Sequence, residues 1–248
     1  MPGFLGISSR QAHAAWLFLP LLLFPAPRAA AQAENRVKLR VSGPAAARQA
    51  MDKLGSRLVA DYGAFQILEV DEGTVEELLK SPQVSRQDDF GYLRLNTGKL
   101  KTSSAAARLK AVQPPEGFSG KRLHMVQFAG PVKPEWYESL KATGVKIVGY
   151  LPENAYLVYG KYEGIGAVHT MAKTSGHVQW AGSYEDAYKI QPEVSRYLER
   201  KASLDVPAPD GYSIQLVDDP EANASTLALI DRLRQGAIRR DDRILGFR

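Results

Sequence analysis

Gly120-Lys-Arg-Leu-His-Met-Val-Gln-Phe-Ala-Gly-Pro-Val-Lys-Pro-Glu-Trp136 opens the stretch that decides the fold, residues 120–190. Residues 122–128 alternate and favour a strand. Pro134 suits a first helical position, where an N–H would have no helical acceptor. Trp136 and Leu140 then share one helical face, and Gly144 fits the stop. Val145-Lys-Ile-Val-Gly-Tyr150 reads as a strand, Pro152-Glu-Asn154 as a turn, and Ala155-Tyr-Leu-Val-Tyr159 as the returning strand. A helix over 165–173, a stop at Gly176 and a strand at His177-Val-Gln-Trp180 complete the unit. The order βαββαβ is that of the split-βαβ, ferredoxin-like module.

The same order is expected upstream, over 36–97. Val37-Lys-Leu-Arg-Val41 alternates as a half-buried strand, and 45–54 is an Ala-rich helix ending near Gly55. Leu58-Val-Ala-Asp-Tyr62 and Phe65-Gln-Ile-Leu-Glu-Val70 flank a Gly63-Ala64 turn. A helix over 75–80, with Thr74 as a possible cap, stops at Pro82, and 88–95 is expected as the last strand. Residues 98–119, with Ser103-Ser104 and Pro114-Pro115, read as a linker. A second joint spans 191–211 and includes a short amphipathic helix over 192–201. Residues 212–248 are expected to form half of a third module: a strand at 212–217, a helix capped by Asn223 or Ser225, then a turn and a strand over 238–247. The predicted class is α+β, with tandem ferredoxin-like (βαββαβ) modules, two complete and one C-terminal half-module.

Composition fits a folded chain: 44% hydrophobic and 24% charged residues. Residues 1–31 read as an export signal, with Arg10 before the apolar run 14–24 and Ala29-Ala-Ala31 as a cleavage site. That run is shorter than a spanning helix needs, so no membrane is expected as a partner after cleavage, and a secreted or periplasmic location follows. The net charge of +5 falls to +3 once Arg10 and Arg28 are subtracted. The arginines over 232–243 are interrupted by Asp231, Asp241 and Asp242, so nucleic acid is not expected as a partner. Cysteine is absent, which excludes disulfides and thiolate chemistry.

Val126-Gln-Phe-Ala-Gly-Pro-Val-Lys-Pro-Glu-Trp136, Glu153-Asn-Ala-Tyr-Leu-Val158 and Val178-Gln-Trp-Ala-Gly-Ser-Tyr184, followed by Ala187-Tyr-Lys-Ile190, carry a resemblance. Over roughly 37–190 the chain resembles the N-terminal regions of large secreted bacterial subtilisin-like serine peptidases, the S8 family. The resemblance implies the fold of the propeptide, an inhibitor I9-type module. It also implies a protease domain as partner, in cis or in trans, and such a domain downstream of residue 248. In such propeptides the sheet packs on two surface helices of the protease and the tail lies in the substrate cleft. This chain departs from that plan, because a joint and a half-module follow the best-matching module. Folding or docking is therefore expected ahead of direct inhibition.

Catalytic chemistry is not expected from the residues. Subtilisin-type catalysis needs Ser, His and Asp in fixed contexts, none of which occurs. His124 is expected in a strand, at the core edge or on the sheet surface, His169 on a helix, and His177 exposed at a strand start. Asp88-Asp89 and Asp218-Asp219 suit turns and edges better than metal binding, since strand neighbours point to opposite faces. Asn223-Ala-Ser225 is a glycosylation sequon that also serves as a helix cap. No cofactor, metal or catalytic residue is predicted. The aromatics of the central module have two readings: core and sheet packing, or an exposed patch for a partner. A two-layer module buries one sheet face under its helices, and the other must be polar or meet something. Tyr156, Tyr159, Trp180, Tyr184 and Tyr188 are the candidate partner contacts. The alternative is a free-standing exported protein-binding module that grips a peptide or an envelope protein through its open sheet face or edge.

Overall fold

From His124 onward, every residue of β7 (Lys121–Phe128) is buried. A strand points successive side chains to opposite faces, so both faces of this sheet are covered. The computed structural model describes residues 36–201 and 212–247, apart from 54, 112, 114, 116, 235, 237, 238, 242 and 243. The predicted export signal, 1–31, lies outside the described residues.

One face is covered as expected. Val126 and Phe128 pack against Trp136 and Leu140 of α4 (Pro134–Ala142) and Ile165 and Val168 of α5 (Tyr162–Thr174). Val158 of β9 (Ala155–Lys161), with Val178 and Ala181 of β10 (Val178–Ser183), completes this core. The sheet is antiparallel with order β10-β7-β9-β8, where β8 is Lys146–Leu151. Its β8–β9 turn places Glu153 and Asn154 at positive φ, which Asn tolerates because its side chain can bond locally.

The other face is covered by the chain itself. Residues 88–95 do not form the last strand of the first unit. That place is taken by the shorter β4 (Val84–Arg86), which pairs with β1 (Arg36–Val41). Asp88–Gly91 is a 3-10 turn, and β5 (Tyr92–Leu95) folds back on β6 (Gly98–Lys101), with Gly98 at φ 129°. Leu93, Leu95 and Leu100 of this hairpin join Met125, Ala155 and Trp180 in one apolar cluster. The expected linker 98–119 thus carries β6 and a helix, α3 (Ala105–Ala111), whose Ala107 and Ala111 enter the same cluster.

The first sheet runs β2-β3-β1-β4, with β2 at Arg57–Asp61 and β3 at Gln66–Asp71. Its helices are α1 (Pro44–Met51) and α2 (Val75–Leu78). They cover Val37, Leu39, Val41, Leu68 and Val70. Ala60 and Tyr62 from its β2 side pack into the second core, and the Tyr62 hydroxyl donates to the Pro131 carbonyl at 2.6 Å.

After α6 (Pro192–Lys201), β11 (Tyr212–Gln215) pairs with β13 (Ile244–Phe247), which pairs with β12 (Arg239–Asp241). This sheet has its own three strands and does not extend the second one. The helix α7 (Pro220–Leu233) starts earlier than expected. Asp219, not Asn223 or Ser225, caps it by accepting from the Ala222 N–H at 3.2 Å, and Pro220 presets the first turn. Asn223 lies inside the helix and donates to the Val217 carbonyl. The architecture is mixed α+β with antiparallel sheets.

A register shift in β10 between Val178 and Trp180 makes Gln179 the extra residue of a bulge. Val178 and Ala181 can then face the helices while Trp180 faces the hairpin. The Trp180 ring lies across Gly182, where an added Cβ would sit 2.3 Å from ring atom Cζ2. Gly182→Ala should therefore lower stability by about 1–3 kcal/mol, the usual cost of overpacking. Urea unfolding checks this; an unchanged midpoint would mean that the ring is free to move aside.

Candidate functional site

The five aromatic candidates lie in different surroundings. Trp180 is buried, and Tyr184 and Tyr188 are half-buried in the cluster under the hairpin. Tyr159 is also buried, and its hydroxyl donates to Asp219 at 3.2 Å. Tyr156 belongs elsewhere. Its ring contacts Tyr137 at 5.4 Å and Tyr150 at 5.6 Å between centroids. Tyr150 is 59% exposed, and its hydroxyl accepts from the Asn154 N–H. This trio lies beside β8, which ends the sheet and has no partner on its outer side among the described residues. Tyr137 and Tyr150 were absent from the expected contacts. The available signal was the tight turn at 152–154, which sets Tyr150 opposite Tyr156.

A second constellation joins the two large sheets. Glu69 of β3 is 3% exposed. It accepts from Arg57 at 2.6 and 3.1 Å and from Arg108 of α3 at 2.8 Å, with the Arg36 Nε 4.0 Å away. Burial alone would raise its carboxyl, but Arg108 and Arg57 hold it at about 2. Beside it, Lys38 is 7% exposed and donates to the Gln179 side chain. Burial lowers the Lys38 ammonium to about 7; Glu69 opposes this, while Arg108 and Arg57 add to it. Gln179 also donates to Phe90 O at 2.9 Å and to Gln127 Oε1 at 2.9 Å. Lys38, Arg108 and Gln179 form a partition between a cleft of about 620 Å³ and a smaller cavity of about 230 Å³.

The histidines form no catalytic centre. His169 Nδ1 donates to the Ala111 carbonyl at 2.8 Å, so its Nε2 accepts from His124 Nε2–H at 3.1 Å. His124 is buried, and burial, then the neighbouring His169, lowers it to about 4. His177 is not exposed as expected. It is half-buried and stacks on Trp136 at 5.1 Å and on Phe128 at 6.2 Å, because an aromatic core supplies flat surface next to the strand start. No group of three or more His, Cys, Asp or Glu is placed to hold a metal among the described residues. No helix among them is long and apolar enough to cross a membrane.

A family model described as a domain of unknown function, DUF8729, matches residues 94–185. The chain is similar to that family over this stretch, which runs from the hairpin through α3 to just past β10. No curated protein and no solved structure matches the chain.

Two pH windows follow. Between pH 6.5 and about 4 the unfolded chain protonates His124 while the folded chain does not, so stability falls as pH falls through that window. His124→Gln should flatten that segment in urea titrations at successive pH values. Between about 7 and 10.5 the unfolded chain holds the Lys38 proton and the folded chain releases it, so stability rises with pH. Lys38→Met should remove that rise; a slope unchanged in the variant would show that Lys38 titrates normally.

Proposed function

We propose that the chain is a non-catalytic, exported protein-binding region that acts in the folding or docking of a subtilisin-like serine peptidase domain. Its frame is two complete ferredoxin-like modules and a partial third. The supporting feature is topology: both four-stranded sheets take the strand order second, third, first, fourth, and the three-stranded sheet places its third strand between its first and second. The observation that carries the binding role is the Tyr137–Tyr150–Tyr156 cluster beside the unpaired edge of β8. Tyrosine is a typical anchor, bringing large area at low entropic cost. The peptidase partner comes from the sequence resemblance. A large α/β protease folds slowly because its contacts are non-local, and a prefolded surface can lower that barrier.

The unpaired β8 edge also supports a second reading, a free-standing module that takes up a peptide strand. Calorimetry of the whole chain against a subtilisin-like catalytic domain, with refolding of that domain followed in parallel, separates the two. Binding with faster refolding is expected. Tyr150→Ser should weaken binding about tenfold or more, as loss of an anchor does, while stability falls by only about 1 kcal/mol, the cost of losing the bond from the Asn154 N–H at a mostly exposed side chain. Neither binding nor faster refolding would remove the peptidase role. Binding undiminished in Tyr150→Ser would remove the surface.

A further inference from the structure

The 620 Å³ cleft lies between β1 and β4 of the first sheet on one side and β6 with the start of α3 on the other. Five cationic side chains line it, Arg36, Lys38, Arg86, Lys101 and Arg108, against two acids, Glu72 and Asp88. The acids are already committed. Both oxygens of Glu72 accept from Arg86, at 2.7 and 3.1 Å, and Asp88 accepts from the Arg86 Nε at 2.6 Å. Glu69, behind the wall, is shared by Arg36, Arg57 and Arg108. Lys38 and Lys101 make no ion pair among the described residues, although Lys38 is almost fully buried. The Nε atoms of Arg36 and Arg108 are buried donors without an acceptor. Such a wall has spare donors and more cationic groups than carboxylates, with Lys101 unpaired among the described residues and Lys38 facing Glu69 without an ion pair, an arrangement that an anion would complete.

We propose that this cleft binds a small phosphorylated molecule, with the phosphate held among Lys38, Lys101 and the Ser103 hydroxyl. Lys101 is an exposed, unpaired ammonium, and an arriving anion would hold the proton on Lys38, so the pair matches a phosphate monoester, which carries about −1.5 to −2 at neutral pH, better than a single carboxylate. The volume falls in the range of about 300–1,000 Å³ typical of small-molecule sites, far larger than a bare ion needs. Tyr92 on the wall offers a ring for the organic part. The assignment is independent of the docking role, because β8 and its tyrosines do not line this cleft.

The test is calorimetry on the whole chain with ribose 5-phosphate and with inorganic phosphate, at fixed ionic strength set by potassium chloride. Ribose 5-phosphate should bind, and bind more tightly than inorganic phosphate. Lys101 is exposed, so Lys101→Glu should leave the fold intact and weaken binding at least about tenfold, the low end for a charged hydrogen bond. Lys80→Glu makes the same charge change on a residue outside the cleft lining and should leave binding unchanged. Equal weakening by both variants would overturn the site in favour of diffuse electrostatics. Equal binding of the two phosphates would overturn the organic ligand, and no binding of either would overturn the proposal outright.

Discussion

A single carboxylate, Glu69, sets how the two large sheets can meet. It sits on the face of the first sheet that α1 and α2 do not cover, and it is 3% exposed. A buried carboxylate is tolerable only when charged partners surround it, and removing one such partner typically costs about 3–5 kcal/mol. Arg57 comes from the neighbouring strand, but Arg108 comes from α3, beyond the hairpin. The Arg57 guanidinium also reaches the Gly176 carbonyl at the end of α5. Its second oxygen is therefore paired only when α3 docks on the first sheet, and Arg57 ties the same cluster to the second unit. The ion pairs add little net stability over an apolar contact of the same shape, yet they penalise any arrangement that leaves Glu69 unpaired.

Gln127 does for the hairpin what Glu69 does for the sheets. It is fully buried on the central strand β7. Its amide donates to the carbonyls of Tyr92, Glu153 and Phe90 at 2.8, 2.9 and 3.3 Å. Its oxygen accepts from the Thr102 hydroxyl and from Gln179. An unsatisfied amide there would cost on the order of 1–3 kcal/mol. The leucines of the hairpin supply the driving force for covering that face, and Gln127 fixes where the hairpin lies. The Gln179 bulge then links this network to Lys38, so one polar chain runs from the hairpin to the first sheet.

The local elements of the second unit were readable because each carries its own punctuation. Pro134 starts α4, Gly144 ends it at φ 81°, and the turn at 152–154 reverses the chain. The first unit was readable through β3 for the same reason. Its closing strand was not: β4 has three residues, two of them exposed, and presents no pattern, whereas 88–95 contains the better β-formers. Coverage of the second sheet face was half legible. Apolar residues on both faces of 155–159 signalled that something packs there, but alternation along one strand cannot say which segment. The cationic partition was invisible. Lys38 and Arg40 alternate with valine and leucine exactly as a solvated strand face would, and Lys38 meets Gln179 across 141 residues of sequence.

Once the chain covers its own sheet face, what remains for a partner is an edge, and β8 is not a free template along its whole length. A register shift between Ile147 and Gly149 interrupts its ladder, and bulges twist an edge away from further pairing. At its start, Lys146 is held by Asp218 at 2.9 Å, which brings the third unit against that end of the strand. A long added strand would have to displace this ion pair and follow the bulge. The tyrosines sit at the opposite end, where Tyr150 stands beside the turn and leans on Tyr156 and Tyr137. Recognition at this edge is thus better served by side chains than by main-chain pairing. For the proposed docking role, that favours a folded partner presenting a surface over an extended peptide, because the exposed Tyr150 ring stands where the fold has left aromatic surface uncovered.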